Sequence, residues 1–329
     1  MARVLVSMVE SSQQFSRMEQ QVLSKFRLYD GGSVQFFDAR VAQPIAFAHV
    51  ADLHLSPDPP ALWPPQYRNA IQWWDIEMKH PNRTLPKMLD EIRSAAVDFV
   101  FFGGDVLDYF HSESAERVVR LCRQRNLTAY FQLGNHDWES DRIRFVTHEY
   151  DADLRAVTAE RLRGIWRMPG LYYSFEQNGV RFISLDVFYG KVAEGYAGWL
   201  DDRQADWFID QLCYQGPIIV FHHVPFNCPT VEFRFRAVWS GILGSMAEDN
   251  NGRRVRQAIE GCPNILGTFA AHSHLRSEDA MGQTCQFSVE AGLHGQWRYV
   301  RVANSQPPKS LRAKGTPDVL IQTNALDHR

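Results

Sequence analysis

The sequence predicts an α/β sandwich whose core is largely parallel. Short apolar runs that end in polar loops alternate with helical patterns along most of the 329 residues, an order typical of parallel strands joined by helices. The composition, with 45% hydrophobic and 22% charged residues, is that of a globular protein with a sizeable core, which excludes disordered and fibrous classes.

The first half of the chain alternates predicted strands with predicted helices. Residues 44–51 form an apolar run that we expect to be a buried strand. Residues 84–97 predict a helix, because Thr84 suits an N-cap and apolar residues recur after it at helical spacing. The elements that follow are a strand at 98–102, an amphipathic helix at 113–125 and a strand at 128–133.

The second half continues this order after a predicted hairpin. Residues 172–175 and 180–186 indicate paired strands around the turn at Asn178 and Gly179, a dipeptide typical of tight hairpins. Further along we expect a helix at 201–214, a strand at 217–221, a helix near 253–260 and a strand at 265–271.

Three segments depart from this alternation. Residues 56–82 are rich in proline and aromatic residues, among them Trp73 and Trp74, and directly follow the first polar loop. They predict either a satellite core at the sheet edge or a substrate cap that stacks on a flat leaving group. The expected organisation is an N-terminal extension at 1–40 with a helix at 13–26, a main domain at 41–303 that contains the insert 56–82, and a C-terminal tail at 304–329.

The charge balance and the cysteines indicate the setting of the protein. With 35 Lys and Arg against 38 Asp and Glu, the net charge of −3 disfavours a nucleic-acid or anionic-membrane partner. No run of about 18 apolar residues predicts a membrane-spanning helix, and the start of the chain lacks the longer apolar region of a signal peptide. The 5 cysteines are scattered without a CxxC pair, as expected for reduced thiols. We therefore expect a cytoplasmic protein without a membrane partner.

Acidic, amide and imidazole side chains follow the ends of several predicted strands within three residues. Half of the 12 histidines lie in these loops, far more than an even distribution would place there. Since ligands bind at the carboxyl ends of strands in open α/β sheets, we expect these side chains to form one site. They are Asp52, His54, Asp105, Asn135, His136, His222, His223, His272 and His274, and Asp108 lies three residues further along the second loop.

The spacing and chemistry of these residues suit metal coordination. Two of the loops carry side chains two residues apart, which point to the same side of an extended chain. His222 and His223 are adjacent and point to opposite sides, so we expect only one of them to be a ligand. Carboxylate, amide and imidazole donors without thiolate favour Mn²⁺, Fe²⁺ or Zn²⁺, or a mixed pair. The candidate ligands exceed the positions of one tetrahedral ion and predict two ions that share a carboxylate.

A site of this kind favours anions. Two divalent ions, two carboxylates and a bridging hydroxide leave a net charge of about +1, which attracts a phosphate group and stabilises its more negative transition state. Two ions about 4 Å apart can clamp the attacking and leaving oxygens of an in-line displacement. These residues therefore predict hydrolysis of a phosphoester by attack of the bridging hydroxide.

The order of these motifs resembles that of the calcineurin-like metallophosphoesterase superfamily. One departure is Ala271, where the family has glycine; alanine fits there if the backbone has a negative φ. The resemblance implies a sandwich of two mixed β-sheets flanked by helices. It covers about residues 45–275 and rests on Asp52-x-His54, Gly104-Asp105-x-x-Asp108, Gly134-Asn135-His136-Asp137, His222-His223 and His272-x-His274.

The resemblance also implies a role for each motif residue. Asp108 would orient His136, which would contact the phosphate or protonate the leaving oxygen without binding metal. Asp105 would bridge two divalent ions. The other metal ligands would be Asp52, His54 and His274 at one ion and Asn135, His222 and His272 at the other.

Residues that flank the motifs are candidates for contact with the substrate. Arg234 alternates with phenylalanines in a segment that indicates a strand, and it offers a clamp for phosphate. We expect the substrate to be a phosphomonoester or phosphodiester of a small nucleotide-like molecule. A nuclease acting on DNA or RNA and a non-catalytic binding member of the fold are the alternatives, and the oligomeric state is left open. The other candidate substrate contacts are His223, Trp73 and Trp74.

Overall fold

A computed structural model describes the main domain and parts of the segment that precedes it. The described residues are 26–28, 33–57, 81–140, 143, 147, 149–192, 195–238 and 244–304. The strands among them are β1 (Phe26–Leu28), β2 (Val34–Phe37), β3 (Ile45–Val50), β4 (Phe99–Gly103), β5 (Ala129–Gln132), β6 (Tyr173–Gln177), β7 (Val180–Ser184), β8 (Phe188–Val192), β9 (Gly195–Trp199), β10 (Ile218–Phe221), β11 (Ile265–Ala270), β12 (Ser277–Met281), β13 (Thr284–Ser288) and β14 (Arg298–Ala303).

Helices alternate with many of the strands, and the one at Ala152–Trp166 was not predicted from the sequence. Three of them begin at an aspartate whose carboxylate accepts a hydrogen bond from a backbone N–H of the first turn: Asp151, Asp201 and Asp249. The helices are α1 (Pro81–Ser94), α2 (Ser112–Gln124), α3 (Ala152–Trp166), α4 (Asp202–Gln211), α5 (Pro229–Val238) and α6 (Asn250–Gly261), and a short 3₁₀ helix spans Gly292–His294.

The first sheet has the strand order β1-β2-β14-β3-β4-β5. Strands β3, β4 and β5 are parallel, and β14 runs antiparallel to β3. Strands β1 and β2 lie within residues 1–40, and β2 pairs with β14. Part of the segment that the sequence separates as an extension therefore belongs to this sheet, because β14 offers it an edge.

The second sheet has the strand order β12-β13-β11-β10-β7-β6. Strands β7, β10, β11 and β13 are parallel, and β6 and β12 form antiparallel edges. Strands β8 and β9 form a separate antiparallel hairpin, which the sequence pattern did not predict. The mixed sheets confirm the predicted fold class.

Aromatic rings fill the space between the two sheets. Phe101 of the first sheet stacks on Phe221 of the second, with ring centroids 3.6 Å apart. Phe47 lies against Phe182 and Phe269 with edge-to-face geometry. Helices α1, α2 and α3 cover the outer face of the first sheet, and α4 and α6 cover that of the second. The parallel strands of both sheets thus bring their carboxyl-end loops to the site.

Some sequence expectations differ from the structure or lie outside its described part. The segment with Arg234 belongs to helix α5 and is not a strand, because Val231 and Phe235, four residues apart, are buried on one face. The described part of the structure leaves out residues 13–25 of the helix predicted at 13–26, most of the insert with Trp73 and Trp74, and residues 305–329 of the tail. Phe26, the last residue of that predicted helix, begins strand β1. Within the described part of the chain, no helix has the length and apolar character needed to cross a membrane.

Candidate metal centre

Backbone hydrogen bonds align the loops that follow β3 and β4. The N–H of Asp52 donates to the oxygen of Gly104 at 3.0 Å, and the N–H of His54 donates to the oxygen of Asp105 at 3.0 Å. Leu55 continues this pairing with a bridge to Leu107. The backbones of the two loops are therefore held side by side, which brings their side chains together.

The loops after β10 and β11 are joined in the same way and reach across to the first sheet. The N–H of Ala271 donates to the oxygen of His223 at 2.9 Å. The N–H of His272 donates to both carboxylate oxygens of Asp52, at 3.2 and 3.1 Å. Ala271 itself is not among the described residues with positive φ, so alanine fits the position where the family has glycine.

The first cluster of candidate ligands consists of Asp52, His54 and His274. Their donor atoms lie within 4.8 Å of one another. Nε2 of His54 lies 3.0 Å from Nε2 of His274, which in turn lies 3.7 Å from a carboxylate oxygen of Asp52. The structure thus brings together three of the predicted metal ligands from two sheets.

The second cluster consists of Asp105, His223 and His272, whose donor atoms also lie within 4.8 Å. Nε2 of His223 lies 3.1 Å from Oδ2 of Asp105. The other ring nitrogen of His223 donates to the backbone oxygen of Gly103 at 2.8 Å, which fixes the ring and directs Nε2 toward the carboxylate.

His222, which the sequence assigns to this cluster, lies outside it. Its Nδ1 contacts the backbone oxygen of Val224 at 2.9 Å, and its ring packs edge-to-face on Phe226. The side chain is 1% exposed, as buried as the ligands of the cluster, and its packing on Phe226 is what separates it from them. His223, which the sequence assigns to the substrate, takes the place expected for His222.

His136 and Asp108 lie beside the first cluster. Nδ1 of His136 lies 3.3 Å from the backbone oxygen of Asp108, and its Nε2 lies 3.8 Å from a carboxylate oxygen of Asp105. The Asp108 carboxylate lies 3.2 Å from Nδ1 of His54 and 3.9 Å from Nδ1 of His136. The carboxylate that the resemblance assigns to His136 is therefore closer to His54.

Asn135 and Asp137 complete the loop after β5. Asn135 is buried, with an exposed fraction of 6%. The carboxylate of Asp137 accepts hydrogen bonds from the N–H groups of Leu107 and Gly134, both at 2.8 Å. Asp137 thus ties the second loop to the third and is a structural residue that the sequence reasoning left without a role.

The backbone at five candidate ligands is left-handed. Residues other than glycine seldom adopt positive φ, although Asp and His tolerate it better than most. Such strained positions cluster at functional sites, where surrounding contacts hold them in place. The five are Asp52 (φ 52°), His54 (47°), Asp105 (48°), His272 (64°) and His274 (54°).

Two glycines allow the close approach of the ligand loops. A Cβ atom on Gly134 would lie 2.2 Å from Oδ1 of Asp105, and one on Gly104 would lie 2.5 Å from Nδ1 of His223. Both distances are far shorter than a carbon contact permits. Gly104 also has a φ of 95°, which only glycine adopts readily.

Burial shapes the electrostatics of the site. It raises the pKa of Asp52 to about 7 and lowers the pKa of His272 to about 3. Burial also disfavours the charged forms of Asp105 and His223. The attraction between the carboxylate and the imidazolium outweighs this effect. The pKa of His223 is raised to about 9, and that of Asp105 lies well below its usual range. A buried set of carboxylates and imidazoles of this kind suits cations.

Buried donor atoms of the candidate ligands provide a test of whether metal ions fit. Oδ1 of Asn135 and Nε2 of His272 are buried and have no hydrogen-bond partner in the described part of the chain. A buried polar atom without a partner costs about 1–3 kcal/mol, which a coordinated cation removes. Together with the two clusters, these atoms fit a centre of two divalent metal ions.

Other side chains surround the clusters without joining them. His49 is buried against Phe101, Phe221 and Phe269, as expected for a core histidine. Tyr189 of the hairpin β8–β9 packs edge-to-face on the ring of His272, with centroids 4.5 Å apart. The sequence did not predict this contact, because it did not predict the hairpin. Oε2 of Glu139 lies 3.7 Å from Nδ1 of His136, a contact that was not predicted from the sequence. The spacing of three residues between them is the feature of the sequence that indicates it.

Several solved structures resemble the chain at low identity. A dimetal phosphatase from Danio rerio is 15% identical with a TM-score of 0.47, and the match covers 76% of this chain and 88% of that one. A purple acid phosphatase from yellow lupin is 10% identical with a TM-score of 0.46, covering 80% and 47%. An NAD nucleotidase from Haemophilus influenzae is 14% identical with a TM-score of 0.39, covering 79% and 47%.

A family model decides the relationship. No curated protein sequence is similar enough to count as a relative. The model of the calcineurin-like phosphoesterases, however, matches residues 45–274, which include every residue of both clusters. Since the match spans more than half of the 329 residues, the chain is a phosphoric ester hydrolase that belongs to the calcineurin-like phosphoesterase family.

Proposed function

We propose that the protein hydrolyses a phosphomonoester or phosphodiester of a small nucleotide-like molecule with the help of two divalent metal ions. The observation that carries this proposal is the pair of clusters, each of which combines side chains from both sheets. Among the ions that suit these donors, we favour Mn²⁺ over Fe²⁺ and Zn²⁺.

We propose a ligand set that differs from the sequence-based one at a single position. Asp105 belongs to the second cluster, its charge also acts on Asp52 and His54 of the first, and it would bridge the ions. His223 would replace His222, because its Nε2 faces Asp105 at 3.1 Å. The remaining ligands would be Asp52, His54 and His274 at one ion and Asn135 and His272 at the other.

The two ions would supply Lewis-acid stabilisation of the phosphoryl oxygens and an activated water for the attack. The chain's own contribution is to hold the donors and to move a proton. His136 would donate it to the leaving oxygen from Nε2, since its Nδ1 contacts the backbone oxygen of Asp108. The carboxylate of Asp108 would orient His54 more than His136.

A substrate cap formed by the insert 56–82 is supported by the positions of its described ends. Nδ2 of Asn82 donates to the backbone oxygen of Ser56 at 2.9 Å, so the chain leaves and returns at one place. That place is two residues from His54. We propose that the insert supplies a flat apolar surface, with Trp73 and Trp74, for the leaving group. Arg234 is a further candidate contact, on helix α5.

The setting of the protein remains a proposal of the same kind. None of the cysteines, all of which lie in the described part of the chain, forms a disulfide. That supports a reducing compartment, and we propose the cytoplasm. The net charge of −3 supports a small molecule rather than nucleic acid as the partner.

A substrate panel tests the proposed function. Purified protein loaded with Mn²⁺ would be assayed for release of product from phosphomonoesters, cyclic nucleotides, other diesters and single-stranded DNA. Asp105→Asn is the control, because it keeps the size of the side chain but removes the charge, and it should abolish turnover and reduce bound metal below two ions. We expect hydrolysis of a small ester. Cleavage of DNA alone would favour a nuclease, and no turnover of any ester would favour a binding protein.

A further inference from the structure

We propose that Tyr189 is a positioning residue for His272 at the second metal ion, an inference that rests on the function proposed above. Tyr189 lies in β8, the first strand of the hairpin that closely follows β7. Strand β7 is parallel to β10 and pairs with it, so both strands end at the edge of the sheet where the loop with His223 begins. The hairpin therefore starts beside the metal site.

The ring of Tyr189 packs against the imidazole of His272. Their centroids lie 4.5 Å apart at an interplanar angle of 64°, an edge-to-face geometry that aromatic rings favour. The rings of His223 and Phe235 also flank His272, with centroids at 5.3 and 6.3 Å. Tyr189 is the closest of these three neighbours, and unlike His223 it is not a proposed ligand.

The conformation of His272 depends on the contacts around it. Its backbone is left-handed, with a φ of 64°, and such a conformation persists where the surrounding structure imposes it. Hydrogen bonds from its N–H to the carboxylate of Asp52 place the backbone. Nε2 of the ring is buried and makes no hydrogen bond within the described part of the chain. The packing of Tyr189 therefore helps to set the direction of the imidazole.

Tyr189 is itself held in place. Its side chain is 8% exposed, and its hydroxyl oxygen accepts the N–H of Gly244 at 3.4 Å. Two residues further on, the N–H of Met246 donates to the oxygen of Pro225 at 2.8 Å. Residues 244–246 thus connect the hairpin to the loop after β10, which carries a proposed ligand of the same ion. Tyr189 cannot move away from the imidazole without breaking these contacts.

A neighbour that fixes the direction of a metal ligand raises the affinity for the ion. Without the ring of Tyr189, the imidazole of His272 could turn into the space left behind, and the second ion would bind more weakly. The first ion would be unaffected, because its proposed ligands do not include His272. The ring matters more than the hydroxyl, since the ring makes the contact.

The first test compares Tyr189→Leu, which removes the ring, with Tyr189→Phe, which keeps it. Titration of metal-free, full-length protein with Mn²⁺ in a calorimeter measures the affinity for each ion without a substrate. In Tyr189→Leu the affinity for one ion should fall roughly 10-fold, while that for the other stays unchanged. Tyr189→Phe should restore most of the loss. Tyr189→Met fills more of the volume and gives the same test if the leucine variant does not fold.

Tyr173→Leu is the matched control. Tyr173 is as buried as Tyr189, with an exposed fraction of 5%, and its hydroxyl also bonds to the backbone, donating to the oxygen of Phe131 at 2.8 Å. It belongs to neither cluster. Tyr173→Leu should therefore lower the melting temperature and keep both metal affinities. This control separates positioning of a ligand from a general loss of stability.

Co²⁺ in place of Mn²⁺ provides a spectroscopic readout, because its visible absorption depends on the geometry of the ligands. Tyr189→Leu should change the absorption of one of the two ions, and Tyr173→Leu should match the parent. Unchanged affinities in Tyr189→Leu, an equal loss in Tyr189→Phe or Tyr173→Leu, or a parent protein that binds a single ion would overturn the proposal. If metal binding follows these expectations yet no ester is hydrolysed, only the proposed function fails.

Discussion

Nε2 of His54 lies 3.0 Å from Nε2 of His274, although 220 residues separate them in the chain. One imidazole follows a strand of the first sheet and the other a strand of the second. Two lone pairs this close repel unless a proton or a metal ion lies between them. A metal ion bound by both imidazoles would therefore link the two sheets.

Removal of metal is expected to lower the thermal stability of the protein. A ligand at 100 times its Kd stabilises the folded state by about 2.7 kcal/mol, so chelation should lower Tm on the order of 5 °C or more. Scanning calorimetry with and without chelator measures this shift. His274→Ala should show a smaller shift, whereas His294→Ala, an exposed imidazole outside both clusters, should show the full one. An unchanged Tm in the presence of chelator would contradict a link between the sheets.

Of the two adjacent histidines after β10, we expect His223 to bind metal and His222 to stabilise the packing. His223→Ala should reduce bound metal to about one ion per chain, because Nε2 of His223 faces Asp105. His222→Ala should keep two ions and lose stability by about 1–3 kcal/mol, since a buried packed ring is removed. Metal analysis by mass spectrometry and urea unfolding separate the two effects. Metal loss in His222→Ala alone would restore His222 as the ligand.

Gly134→Ala is expected to weaken metal binding through a steric contact. The added Cβ would lie 2.2 Å from Oδ1 of Asp105, so the carboxylate must move. Overpacking of about 1–3 kcal/mol corresponds to a metal affinity that falls roughly 10- to 100-fold, measured by competition with a fluorescent chelator. Gly164→Ala is the matched control, since nothing lies within 4 Å of its Cβ. Alanine there should be neutral or stabilise helix α3 by up to about 1 kcal/mol.

His136→Ala is expected to retain metal and lose turnover. The kcat for an alkyl ester should fall roughly 10²–10⁴-fold, the usual range for a general acid. The loss should be smaller for an activated nitrophenol, whose leaving oxygen needs no proton. Steady-state kinetics with both esters on one preparation make the comparison. Equal losses would leave His136 with electrostatic positioning and no proton transfer.

The combined variant Trp73→Ala and Trp74→Ala tests the substrate cap. Stacking of a base on an aromatic ring contributes about 1–3 kcal/mol, so KM for the preferred substrate should rise much more than KM for phenyl phosphate. A role in a satellite core predicts a lower melting temperature and the same change for every substrate. Measuring Tm and both KM values on the same protein distinguishes the two roles.

The sequence predicts the strands that lead into the site well, because each short apolar run ends in a polar loop. It does not tell which of His222 and His223 faces the metal. Strand β10 is apolar on both faces, so alternation places the two histidines on opposite sides without saying which side is the interlayer. The structure resolves this: Phe221 packs between the sheets, and His223 lies on the same side.

Helix α5 and hairpin β8–β9 were not predicted from the sequence, for a related reason. Phe233 and Phe235 alternate with arginines as in a strand, yet burial of Val231 and Phe235 follows a spacing of four. A short segment can fit both the two-residue repeat of a strand and the 3.6-residue repeat of a helix, and tertiary packing then decides which structure forms. The hairpin has aromatic residues and glycines but no compact turn signal between two clean alternating runs.

The left-handed backbone at five candidate ligand positions carries a cost in folding stability. Each such residue forfeits about 1–2 kcal/mol relative to a relaxed conformation, and glycine would fit every one of these positions with less strain. A related protein that no longer needs the activity would therefore gain stability from glycine at these candidate ligand positions. An inactive paralogue with glycines in these loops and a higher melting temperature is what this trade between strain and chemistry leads one to expect.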